Sequence, residues 1–243
     1  MKDIYGSTSE EVKMIKAIQR KMGILDNGWI GTDTFSSIAE TLGADCFPLA
    51  VKMYDCPTVI AKSCEPFDPD GPIRNFAYTM SGSFTWPSGV NPCSILVNRG
   101  KVLCEYACHY WQDGKPESVL YQTTDGKLHV KRVMSIAQLP SNLIFAVGGM
   151  GLLDNYDPDA EGFCGNQAGV LRKTGHTVLA YKNGYLYSVC FPNHTSQQIN
   201  QICRDKFKFE GAIQLDGGSV YFYNFPGMTR GINTICGYAI RFI

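Results

Sequence analysis

Three groups of residues in this chain have types and spacings that could do chemistry. The first is Gly211-Ala-Ile-Gln-Leu-Asp216-Gly217-Gly218-Ser219, in which an apolar run ends on a carboxylate followed by two glycines. A buried strand that stops at Asp216 would hold the carboxylate on a rigid element, and the glycines would let the backbone approach a ligand. The same residues also read as an Asp-Gly hairpin turn between two hydrophobic runs, the second being Val220-Tyr-Phe-Tyr223. The second group is the acidic loop Asp154-x-x-Asp157-x-Asp159-x-Glu161, which could supply another carboxylate or hold Ca²⁺. Its spacing departs from the EF-hand loop, so a solvated loop without a cofactor is expected. The third, Cys104-Glu-Tyr-Ala-Cys108-His109, has metal-like spacing. No second Cys or His half answers it, and half-buried thiols are expected rather than zinc. Trp29, Trp86 and Trp111 could stack on sugars or equally pack in the core.

The elements that must position these groups are mostly short apolar runs punctuated by Gly, Pro, Asn and Asp. The pattern predicts strands at 58–61, 94–98, 101–106, 118–122, 128–133, 144–147, 177–181, 185–191, 211–215, 220–223 and 237–243. One helix interrupts them, where the capping box Thr195-x-x-Gln198 opens a run with Ile199, Ile202, Cys203 and Phe207 inward. An α+β domain around a mostly antiparallel sheet system is expected over residues 46–243.

Residues 1–45 read differently. Ser7-x-x-Glu10 and Thr8-x-x-Glu11 precede a helix with Val12, Ile15, Ile18 and Met22 on one face and Gly23 at its end. A turn at Asn27-Gly28-Trp29-Ile30-Gly31 leads to a second helix with Phe35, Ile38 and Leu42, ended by Gly43. This predicted helical hairpin resembles the peptidoglycan-binding module of cell-wall hydrolases over residues 8–44. Asn27 stands where that family usually has Asp.

The larger region resembles the phosphodiester glycosidases, typified by the enzyme that uncovers mannose 6-phosphate by removing N-acetylglucosamine. The landmarks, in order, are Met80-Ser81-Gly82-Ser83-Phe84, Ile95-Leu-Val-Asn-Arg-Gly100, Ala146-Val-Gly-Gly149-x-Gly151, Arg172-Lys-Thr-Gly-His176-Thr177, and the helix, strand and glycine run from Thr195 to Ser219. Ser81 replaces the family's usual Asn, His176 its usual Arg, and the run after Asp216 is one Gly short. The resemblance implies hydrolysis of a sugar 1-phosphodiester. Asp216, His176 and Glu161 are then the candidate catalytic residues, and Ser81, Ser83, Gly149, Arg172, Thr177, Gly217, Gly218 and Ser219 the candidate substrate-binding residues. Within that set Arg172, His176 and the Gly217 and Gly218 amides are candidate phosphate donors. A histidine's charge is conditional on pH, so a phosphate contact by His176 is expected to weaken as pH rises.

Composition sets outer limits. The 243 residues carry 22 Lys and Arg against 22 Asp and Glu, so no global field favours nucleic acid or an anionic membrane. Met1 to Glu11 lacks the apolar core of a signal peptide, and no later run is long and apolar enough to span a bilayer. Synthesis in the cytosol is expected, with virion association or release to the wall on lysis as routes to a wall substrate. The ten cysteines are expected to be reduced thiols. The function expected is cleavage of a sugar 1-phosphodiester in a cell-wall polymer such as the teichoic acid linkage, with a phage-encoded protein as one expected origin. The alternative is a non-catalytic binder of wall glycan or of a sugar phosphate or nucleotide.

Overall fold

The computed structural model describes residues 9–23, 48–53, 56–68, 75–85, 92–107, 114–154, 156–164, 169–225, 228–231 and 237–243. The chain divides into two compact units, Met1–Cys46 and Phe47–Ile243. In the first unit the described element is helix α1, Ser9–Lys21. It ends as expected at Gly23, whose φ of 70° is the left-handed conformation that closes a helix. Val12 and Ile15 are half-buried and Ile18 is exposed. The expected second helix, with Phe35, Ile38 and Leu42, lies outside the described residues.

The α+β expectation, with a helical hairpin in front, is corrected. The fold is β-rich and mostly antiparallel, and no helical hairpin module is evident among the described residues. The larger unit contains one two-part helical segment there, α2 at Ser196–Gln201 continuing into a π-helical turn at Ile202–Phe207. Its capping box is present as predicted, with Thr195 Oγ1 accepting from Gln198 N and Gln198 Oε1 accepting from Thr195 N. The prediction overweighted this helix because its cap signal is strong. Most of the remaining apolar residues fall in short runs that enter sheets, several of them buried on both faces.

The first sheet has ten strands. Along its main path run β1 (Leu49–Met53), β2 (Cys56–Ala61), β11 (Tyr185–His194), β10 (Thr174–Lys182), β12 (Gly211–Gly217), β9 (Leu143–Gly151), β5 (Leu96–Asn98) and β6 (Lys101–Cys104). The hairpin of β7 (Glu117–Thr123) and β8 (Leu128–Val133) also joins β9. The second sheet has five strands in the order β14 (Met228–Arg230), β13 (Tyr223–Phe225), β4 (Thr79–Ser81), β15 (Ala239–Phe242) and β3 (Cys64–Phe67).

The two sheets share one core. Val59, Leu96, Leu120, Leu179, Ile213 and Leu215 of the first pack with Met80, Phe225, Ile240 and Phe242 of the second. β5 and β7 also bury their other faces. Val97, Val119 and Tyr121 alternate away from Leu96 and Leu120 into a separate cluster with Val133 and Leu143. Every residue of β7 is accordingly buried, its polar Glu117, Ser118, Gln122 and Thr123 included. On β12, Ile213 and Leu215 are fully buried, each worth about 1.5–3 kcal/mol of apolar transfer, and this anchors the strand that carries Asp216.

The described cysteines, at 56, 64, 93, 104, 164, 190 and 203, are free thiols. Burial pushes the Cys64, Cys190 and Cys203 thiols up, which suppresses their thiolates.

Candidate functional site

The chain after Asp216 does not turn back on itself. A 3-10 turn at Gly218–Val220 carries it out of the first sheet, and the next strand, β13, pairs with β14 and β4 in the second. The predicted strand at 220–223 begins only at Tyr223. Asp216 therefore stands where the backbone crosses between sheets, and the hairpin reading is excluded.

A β-bulge aims this crossing. On β10 and β12, His176 pairs with Gly217 but Val178 with Gln214, so Leu215 and Asp216 together oppose Thr177. The extra residue bends the strand at its end, as bulges beside functional sites commonly do. Thr177 Oγ1 braces the bulge, 3.2 Å from the Asp216 carbonyl and 3.4 Å from that of Ser81. Asp216 N also donates to the Gly82 carbonyl at 3.1 Å, joining the crossing to the end of β4.

At this point lies a cleft of about 200 Å³. Asp216, Gly217, Gly218 and Ser219 line one side, Arg172, Thr174 and His176 another, and Phe84 with Gly169 and Val170 complete the described wall. Six residues singled out from the sequence are thus brought together: Arg172, His176, Asp216, Gly217, Gly218 and Ser219.

Their chemistry is specific. Asp216 is half-buried, and its Oδ1 accepts from Gly217 N at 2.8 Å. Burial pushes its carboxyl up to about 7, and the Gly217 hydrogen bond opposes this only in part. Gly218 takes a φ of 63°, a left-handed conformation that starts the 3-10 turn, and a Cβ there would sit 3.4 Å from Arg172 Nη2. The guanidinium thus lies over the glycine run. Arg172 is exposed, and among the described residues it forms no ion pair, with Asp216 or with any other carboxylate.

His176 has a different part from the phosphate donor expected of it. Only 2% of it is exposed, and Nε2 lies 3.0 Å from the Arg172 carbonyl. A carbonyl only accepts, so Nε2 carries the proton and ties the Arg172 segment to β10. Burial holds the imidazole pKa below its usual value, with backbone hydrogen bonds to Arg172 and His194 acting the other way. The ring is neutral at pH 7, so the expected weakening of a His176 contact with rising pH has no charged form to act through there.

The remaining predicted residues stand behind the wall. Ser81 Oγ accepts from Phe222 N at 2.9 Å and lies 3.0 Å from the Val220 carbonyl, locking β4 to the chain after the turn. Ser83 Oγ donates to the Gly148 carbonyl at 2.7 Å. Gly149 lets β9 approach β12, because a Cβ there would meet the Gln214 carbonyl at 2.5 Å. Glu161 does not line the cleft. Its fully buried carboxylate accepts from Ser118 N at 2.9 Å, Ser118 Oγ at 3.1 Å and Gly151 N at 3.1 Å, and pairs with Arg132 Nη2 at 2.6 Å. This network pins the former acidic loop, whose Phe163 ring packs 5.3 Å from that of Phe84. Among the described residues no group of three His, Cys, Asp or Glu is placed to hold a metal, Asp154, Asp157 and Asp159 included. Cys108 and His109 lie outside the described residues.

Sequence reasoning missed Thr174 and Val170 in the wall, and Gln214 and Glu117 behind it. Thr174 had a signal, since Arg172, Thr174 and His176 alternate on one side of the chain entering β10. Fully buried Gln214 donates from Nε2 to the Val170 carbonyl at 3.2 Å, where Ser196 Oγ also donates at 3.3 Å. Two side chains thus hold the segment that carries Arg172. Glu117 Oε1 accepts from Ile95 N at 2.5 Å.

No family model matches the chain, and no curated protein matches it. Solved structures do share its fold. The catalytic domain of zebrafish N-acetylglucosamine-1-phosphodiester α-N-acetylglucosaminidase, auto-inhibited by its pro-peptide, superposes with a TM-score of 0.58 at 14% identity, covering 81% of each chain. A hypothetical protein from Synechocystis superposes with a TM-score of 0.52 at 12% identity, over 79% of this chain and 60% of the other. At these identities the relationship is one of fold. The chain shares the β-rich fold of that zebrafish catalytic domain.

Proposed function

We propose that the cleft binds the phosphate of a sugar 1-phosphodiester and that the protein hydrolyses the bond between the anomeric carbon and the phosphate oxygen. The observation that carries this reading is that a guanidinium with no ion pair among the described residues and a carboxyl of raised pKa line one small cleft. A phosphate diester needs fixed donors, which Arg172 and the leading amides of the Gly218–Val220 turn supply. Water attacks the anomeric carbon while a phosphate monoester departs. Phosphate leaves readily, so one group that titrates near neutral pH suffices for proton transfer, and Asp216 meets that requirement. The Gly217 amide, engaged by the Asp216 carboxylate, is removed from the list of phosphate donors.

The shared fold with the zebrafish enzyme supports the hydrolase class. The predicted N-terminal hairpin points to a cell-wall polymer as substrate, and since no such module is evident among the described residues the proposal is confined to sugar 1-phosphodiesters as a class. Incubation with N-acetylhexosamine 1-(methyl phosphate) tests it. Release of reducing sugar by the wild type, lost in Asp216→Asn, is expected, and no release from a panel of sugar 1-phosphodiesters overturns hydrolysis.

A second reading, a binder without turnover, is favoured by one observation. No second carboxylate lines the cleft among the described residues, because Glu161 is held elsewhere. Saturable binding with no sugar released selects it.

A further inference from the structure

We infer that Asp216 meets an anionic ligand as the neutral acid, donating its own proton into the cleft, so that anion and proton are taken up together. This rests on the cleft being an anion site, the reading proposed above, and it assigns Asp216 the part of a hydrogen-bond donor that selects for an anionic oxygen.

The geometry leads there. Arg172 and Asp216 line the same cleft without pairing, so the guanidinium does not neutralise the carboxylate. One N–H, from Gly217, reaches the Asp216 carboxyl, and it reaches Oδ1. Oδ2 has no protein donor among the described residues and is left to the cleft, so solvent or a ligand is its partner. An anion held by Arg172 over Gly218 would share a cleft of about 200 Å³ with the Asp216 carboxyl. Two negative charges that close in a poorly solvated site repel strongly, and a proton on Oδ2 turns the repulsion into a charge-assisted hydrogen bond.

Among the described residues no other lining group can supply that proton above pH 7. From β10, His176 is already neutral, its Nε2–H engaged by the Arg172 carbonyl. From the segment before β10, Arg172 stays charged at any accessible pH. Thr174, Ser219 and Phe84 do not titrate. Burial alone already brings Asp216 to about 7, so the ligand has only to move it further in the same direction.

The test uses dimethyl phosphate, which is singly charged throughout and has no glycosidic bond to cleave. Its affinity for the full-length protein is measured by NMR titration between pH 7 and 9. Linked uptake requires the affinity to fall with pH, approaching about tenfold per unit above pH 8. Asp216→Asn, whose amide is a permanent neutral donor, is expected to bind with a flat profile. A flat wild-type profile, or a slope that persists in Asp216→Asn, overturns this inference and leaves the anion site standing. No saturable binding, or affinity unchanged in Arg172→Ala, overturns the anion-site reading and this inference with it. The wild-type slope is decisive even if the Asn variant fails to fold.

Discussion

Asp216 is held in a place that favours its proton over its charge, and this has a consequence for stability. Its pKa rises from 3.8 to about 7 on folding, so the native state keeps a proton that the unfolded chain has lost. Stability is full below pH 3.8, falls as pH rises towards 7 and stays low beyond it. With allowance for its partial exposure the loss is about 1–3 kcal/mol. Asp216→Asn is therefore expected to melt above the wild type at pH 8 and level with it at pH 4. Calorimetric melts that coincide at pH 8 would show that the carboxylate is well solvated. Arg172 should behave differently. It is exposed and unpaired among the described residues, so Arg172→Ala is expected to change stability by less than about 0.5 kcal/mol while reducing anion affinity about tenfold or more. A binding isotherm beside a melting curve separates the two effects.

The elements around the site are braced from behind, and most of the predicted residues act there. Gly149 sets the distance between β9 and β12. Gly149→Ala would press a methyl group on the Gln214 carbonyl, and a loss of about 1–3 kcal/mol by urea denaturation is expected, together with weaker binding as β12 shifts. The Arg132 and Glu161 pair locks the loop carrying Phe163 to β7, β8 and β9. Arg132→Met would leave the Glu161 carboxylate buried without its cation, at a cost of about 3–5 kcal/mol. Adding Glu161→Gln removes the stranded charge, so the double variant should recover part of the loss. A double variant no more stable than Arg132→Met alone would place the pair's contribution elsewhere.

At the scale of the molecule, the cleft sits where the chain passes from the ten-stranded sheet to the five-stranded one. Every described residue lining it belongs to the unit Phe47–Ile243, as do the residues of the shared core. A chain beginning at residue 47 is expected to keep a β-rich circular dichroism spectrum and the dimethyl phosphate affinity of the full protein. Loss of either would make the first 46 residues part of the site's support. The pH profile of the whole is set by opposing groups. His176, buried neutral, is destabilising when protonated, so its contribution is full above pH 6.5 and is lost as pH falls towards its depressed folded pKa. Asp216 acts in the other direction between pH 3.8 and about 7, a range that overlaps the His176 window, so the two contributions offset each other where they overlap.

The sequence by itself determined the local elements, because their signals are local. Short apolar runs bounded by Gly, Pro, Asn and Asp marked β7 to β12 to within a few residues, and the Thr195 and Gln198 capping box marked α2. It also singled out Asp216 with its glycines, Arg172 and His176, which line one cleft, but not Thr174 beside them. It overestimated the helical share, and its hairpin of two helices became one described helix in a β-rich fold. Tertiary structure alone decided the rest. Whether Asp216-Gly217 closes a hairpin or crosses between sheets depends on which strand accepts β13, a contact set by core packing of both sheets. The bulge opposite Thr177 depends on a register between β10 and β12 that no single strand encodes. Burial then settled the chemistry. It made His176 a neutral brace, sent Glu161 to Arg132 and left Asp216 protonated near neutral pH, because desolvation and unpaired charge are properties of a three-dimensional neighbourhood rather than of a residue type.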